Sequence, residues 1–162
     1  MFDKFGEFDS CEELNRAAAA QLKEGDDQAL VALALENGID EEDVKDYIDG
    51  EVQELATPLM AAYGKLDIEE KELKPYGIMK DWITYIRIRC SEDPVMAAAV
   101  RRKGKSLKGC IGDLLSWSLK NAREVDREVL KRAGIAYKVT LGIPDMGQAK
   151  KIITDYYMEA AS

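Results

Sequence analysis

The residues most able to do chemistry are the cations of Arg101-Arg-Lys-Gly-Lys-Ser-Leu-Lys108, where Arg101, Arg102, Lys103, Lys105 and Lys108 fall within eight positions. They run into the expected start of a helix capped by Ser106, where the macrodipole disfavours positive charge. A local rule broken in this way points to use. The backbone amides of the first turn, flanked by Lys103, Lys105 and Lys108, could hold a phosphate or an acidic partner. Lys150 and Lys151 would join this patch if the last helix packed beside it. A solvated loop, or one paired with acidic residues of the same chain, is the plainer reading.

Other candidate chemistries fail on residue type. The chain has no histidine, which removes Ser-His-Asp and Cys-His catalysis and imidazole metal sites. Gly142-Ile-Pro-Asp-Met-Gly147 opens like a phosphate loop, but Gln148 and Ala149 stand where lysine and a hydroxyl are needed. Asp40, Glu42 and Asp43 lack the turn glycine and closing glutamate of a calcium loop. Ala34, Gly38, Ile39, Val44 and Tyr47 have helix-turn-helix spacing. The second helix would carry Glu41, Glu42, Asp43, Asp46 and Asp49 against Lys45 alone, and would repel phosphates. An acidic helix of this kind could instead compete for a basic nucleic-acid channel on another protein. No enzymatic activity, metal or cofactor is expected.

Cys11, Cys90 and Cys110 are odd in number and far apart, so a disulfide framework or CxxC chemistry is not expected. They read as small apolar residues in a reducing compartment. The opening residues contain no apolar signal region, and the longest apolar run, Ala29 to Leu35, is too short to span a bilayer. The expectation is a cytoplasmic protein with no membrane contact.

Net charge over the 162 residues is −8. Residues 1–75 hold seven Lys+Arg against 21 Asp+Glu, whereas 76–162 hold sixteen against ten. That asymmetry suggests two segments with different partners, or an acidic segment that screens a basic one.

The elements that must position these groups read as helices. Glu12–Lys23, Gln28–Glu36 and Glu41–Asp49 each follow an Asp or Ser cap and end at Gly25, Asn37-Gly38 or Gly50. A fourth is expected from about Val52 to Tyr63, firm from Thr57 because Pro58 suits a first turn. Residues 64–77 are charged and contain Pro75, and read as a linker. Beyond them come Ile78–Cys90, Pro94–Arg101, a helix from Ser106 to Asn121 and another over 124–133. Tyr137–Leu141 alternates like a short strand, and Gln148 to about Glu159 is the last helix. The prediction is an all-α or nearly all-α fold: an acidic module over 1–63, a linker over 64–77 and a basic helical domain over 78–162.

The second half carries four runs in order: Ile78-Met-Lys-Asp-Trp82, Lys103-Gly-Lys-Ser-Leu-Lys-Gly-Cys110, Val139-Thr-Leu-Gly-Ile-Pro144 and Ala149-Lys-Lys-Ile-Ile-Thr-Asp-Tyr-Tyr157. Residues 76–158 with these runs resemble the PcfK-like family of conjugative plasmids and related mobile elements. Glu24-Gly-Asp and Leu35-Glu-Asn-Gly-Ile39 are similar to a helical module often joined to it. The layout is also similar to small Cas9-inhibitor proteins of mobile elements. The resemblance implies no catalytic residues. It implies an accessory protein that acts by binding, as an inhibitor of a Cas nuclease or a conjugation factor. On that reading the 101–108 patch would contact DNA, RNA or an acidic partner. The alternative is an assembly protein that self-associates through its acidic and basic halves.

Overall fold

Side-chain caps set most helix starts. The Ser10 hydroxyl accepts the Glu13 amide at 3.1 Å and opens α1 (Cys11–Glu24). Asp26 accepts the Ala29 amide at 2.9 Å before α2 (Asp27–Glu36). Asp40 holds the cap position of α3 (Glu41–Ile48) without a side-chain hydrogen bond to the helix. Thr57 accepts the Met60 amide at 3.2 Å before α4 (Pro58–Leu73). After α5 (Ile78–Glu92), Asp93 accepts the Val95 amide at 2.9 Å and opens α6 (Pro94–Arg101). Pro58 and Pro94 each stand in a first turn, where a missing amide costs nothing.

The structure, a computed structural model, describes residues 2–159. The described chain is mostly helical, with one two-stranded antiparallel sheet among the described residues. It divides into two compact units, residues 1–108 and 109–162. The boundary lies inside α7 (Leu107–Lys120). The expected linker at 64–77 is therefore not one. Most of it is the second half of α4, with Gly64, Lys65, Leu66 and Glu69 buried. Its charged composition misleads because the charges that point inward are paired there.

In the first unit α1, α2 and α3 pack in sequence, while α4 lies against α6 and α5 against α6. The core joins Leu14 and Ala18 of α1 to Leu30, Leu33 and Ala34 of α2, Val44 and Tyr47 of α3, and Leu55 and Ala61. Phe5 and Phe8 pack against this core from the N-terminal segment. Trp82, Ile83 and Ile86 of α5 and Met96 and Val100 of α6 are buried as well.

Two glycines allow α4 to cross the α2–α3 turn. Gly38 has φ +73°, and a Cβ there would lie 2.3 Å from the Gly64 carbonyl oxygen. A Cβ at Gly64 would lie 2.2 Å from the Asn37 carbonyl oxygen. The two backbones touch at a point where neither side has room for a methyl group.

The second unit contains the rest of α7, β1 (Arg123–Glu124), α8 (Arg127–Arg132), β2 (Thr140–Leu141) and α9 (Met146–Met158). Arg123 pairs with Leu141 and Glu124 with Thr140. The expected helix over 124–133 is shortened because Glu124 is taken into the sheet, and Asp126 caps α8 by accepting the Glu128 amide at 2.8 Å. The expected strand at 137–141 is reduced to its last two residues. Asp145 caps α9 two residues before its expected start. Buried Cys110, Ile111, Leu114, Leu130, Pro144, Ala149, Ile153 and Tyr157 are the interior residues of this unit.

Candidate functional site

The basic segment does not form the patch its sequence suggests. Arg101, the last residue of α6, is 1% exposed. Its Nη2 donates to the Asn37 side-chain oxygen at 2.7 Å, and its guanidinium lies 5.4 Å from the Phe2 ring centroid. Burial pulls this guanidinium below its ordinary value, against Glu7 and Glu69. Arg101 is an interior residue and is unavailable to a ligand.

The loop that follows is held from beneath. Lys65, fully buried, donates to the carbonyls of Arg102 at 2.7 Å and Lys105 at 2.6 Å. It also pairs with Glu7 at 2.8 Å and approaches Glu69 at 3.9 Å. The Lys103 amide donates to Asp9 at 2.8 Å. These contacts fix the chain through Gly104, whose φ of +84° makes the turn. Arg102 and Lys103 then project into solvent, and Lys105 is half-buried.

At the α7 N-terminus one of the amides expected to hold an anion is taken from within. The Leu107 amide donates to Glu69 Oε2 at 3.0 Å in a buried position. A carboxylate of the chain itself thus occupies the place proposed for a phosphate. Burial pushes Glu69 up to about 7, while Lys65, the Leu107 amide and Arg101 pull the other way. Lys108 pairs with Glu72 at 3.3 Å. Lys150 and Lys151 are exposed on α9 in the other unit, where Lys151 pairs with Asp155 at 2.5 Å. Of the seven cations, Arg102 and Lys103 keep the segment's positive character at the first unit's surface.

The three thiols are buried. Burial raises Cys11, and it pushes Cys90 up to about 12. Neither is a nucleophile at neutral pH. Among the described residues no cluster of His, Cys, Asp and Glu could hold a metal ion. No described helix is long and apolar enough to cross a membrane.

The acidic half contains a groove. Asp43 and Asp46 of α3 line a hollow of about 500 Å³ together with Val52, Gln53 and Glu54 of the following bend. Its floor is Leu55, Ala56 and Met60. Asn15 of α1 fixes the bend: its side chain donates to the Ala56 carbonyl and accepts the Ala56 amide, both at 2.9 Å. A smaller hollow of about 210 Å³ shares Asp43 and Met60 and adds Asp40, Tyr63 and Asp67. Among the described residues no cation pairs with Asp43, Asp46 or Glu54. An apolar floor under unpaired carboxylates suits a cationic side chain with an aliphatic stem.

The acidity of α3 is plain in the sequence, but the part played by Glu54 and the bend is not. Nor is the interior set Asn37, Lys65, Glu69 and Arg101 plain there. A signal for half of it exists, since Lys65 and Glu69 are four apart on a helix beside Ala61, Ala62 and Leu66. Compared with known protein families, curated proteins and solved structures, the chain matches none.

Proposed function

We propose that this chain is a non-enzymatic accessory protein of a mobile element that acts by binding, with the acidic groove of the first unit as its contact surface. The observation that carries the reading is the set Asp43, Asp46 and Glu54, unpaired among the described residues, above an apolar floor. The unit supports it in bulk, with 24 Asp+Glu against 15 Lys+Arg over residues 1–108. The partner is a protein with a basic channel that normally receives nucleic acid. Carboxylates on a fixed scaffold compete with phosphates for such cations, and the contact weakens as salt screens it. The mobile-element setting rests on the resemblance of residues 76–158 to the PcfK-like family. The layout shared with small Cas9 inhibitors makes guide-loaded Cas9 the first partner to test.

The test is fluorescence anisotropy of labelled target DNA with guide-loaded Cas9, titrated with this protein at several salt concentrations. The expected result is displacement of DNA that fades with salt and is lost in Asp43→Lys/Asp46→Lys/Glu54→Lys. Failure of the unaltered protein to displace DNA would remove Cas9 as the partner. Displacement that survives the triple charge reversal would remove the groove. Labelled DNA and RNA without Cas9 form the control for direct contact through Arg102, Lys103 and Lys105.

A further inference from the structure

The second unit has an end that is both apolar and cationic. A Cβ at Gly142 would lie 2.2 Å from the Ser118 carbonyl oxygen and 2.9 Å from Ala122 Cα, so the β2–α9 connection lies on the end of α7. Leu141 and Ile143 flank Gly142, and Leu119 follows Ser118 on the α7 side of that contact. These three are 63%, 57% and 83% exposed. Arg123 is paired in register with Leu141, and Lys120 follows Leu119. Among the described residues neither cation has an ion-pair partner. The nearby carboxylates are engaged already: Glu124 with Lys138, Glu128 with Lys131, and Asp126 as the α8 cap. What is left over around that contact is aliphatic and positively charged.

The groove of the first unit is its chemical complement, an apolar floor with a negative rim. We propose that in the free protein the groove of one copy receives the Leu119/Leu141/Ile143 end of a second copy. Lys120 and Arg123 then face Asp43, Asp46 and Glu54. Aliphatic side chains this exposed favour a protein surface over phosphates, which offer them nothing to pack against. Joining two different surfaces makes the contact heterologous, so copies add head to tail into rings or open chains. An outside basic partner would have to displace the neighbouring copy, which makes self-association a store of the inactive form. That last consequence rests on the reading of the groove given above, whereas the self-contact itself does not.

Sedimentation velocity of the full chain over a concentration series tests this, at about 50 mM and about 500 mM salt. At low salt the average mass should rise from 18.1 kDa to at least twofold, and high salt should reverse the rise. Asp43→Lys/Asp46→Lys, which spoils the groove, and Lys120→Glu/Arg123→Glu, which spoils the exposed end, should each be monomeric with unchanged circular dichroism. Mixed one to one, the two variants should associate again, because each supplies the surface the other lacks and the reversed groove and reversed end themselves carry opposite charges. A monomeric unaltered protein at every concentration overturns the proposal, and so does association that persists in both variants. A protein that stays monomeric yet displaces DNA from Cas9 loses this inference and keeps the function. One that associates yet displaces nothing does the reverse.

Discussion

The Glu69 carboxylate accepts the Leu107 amide at 3.0 Å, at the turn where the basic segment enters α7. A helix N-terminus flanked by lysines looks from the sequence like a site for an external anion. The chain instead closes that terminus with a side chain from α4, 38 residues earlier. The same carboxylate stands 3.9 Å from Lys65, whose other bonds hold the loop carbonyls. One buried cluster therefore shapes the segment and takes one of the amides an external anion would need.

Glu69 makes stability depend on pH. Its folded value, about 7, lies above the ordinary 4.5 because burial disfavours the charged form. The folded state then holds the proton more tightly than the unfolded one. Its contribution is full below about pH 4.5, declines as pH rises and is lost above about pH 7. Glu69→Gln keeps an acceptor for the Leu107 amide and does not titrate. Urea unfolding at a series of pH values should show the unaltered protein losing up to about 3 kcal/mol relative to Glu69→Gln between pH 5 and 8. Parallel profiles for the two proteins would contradict the buried, proton-holding carboxyl.

Gly64 reverses a common rule. Glycine to alanine inside a helix ordinarily adds about 1 kcal/mol of stability. Here the new Cβ would stand 2.2 Å from the Asn37 carbonyl oxygen. Gly64→Ala should instead destabilise the protein by about 1–3 kcal/mol, the usual range for overpacking. Thermal melts of the two proteins check the sign directly, and a higher midpoint for the alanine variant would mean the α4 crossing is looser than described.

Neighbouring cations of the basic segment should separate cleanly. Arg102→Gln/Lys103→Gln removes two exposed charges and should change stability by no more than about 0.5 kcal/mol. Arg101→Gln removes a buried guanidinium bonded to Asn37 at 2.7 Å. It leaves Glu7 and Glu69 without that cation and should cost about 3 kcal/mol or more. Denaturant midpoints distinguish the two, and equal losses would place Arg101 at the surface with its neighbours.

The sequence by itself determined the helices and most of their starts. Ser10, Asp26, Asp93 and Pro94 act through groups within a few residues, so local chemistry suffices. It also determined the charge asymmetry and the acidity of α3. What the tertiary structure decided was which charges face water. Lys65, Glu69 and Arg101 read as ordinary surface residues until α4 and α6 are packed together, with Glu7 and Asn37 brought up beside them. The reach of α4 through 64–73 depends on that same burial, because a charged stretch stays helical against a core only when its inward charges find partners. The groove likewise exists only once Asn15 pins Ala56 across 41 residues. Such long-range pairings have no periodic signature. They follow from which backbones can approach, and at Gly38 and Gly64 that approach depends on two missing side chains.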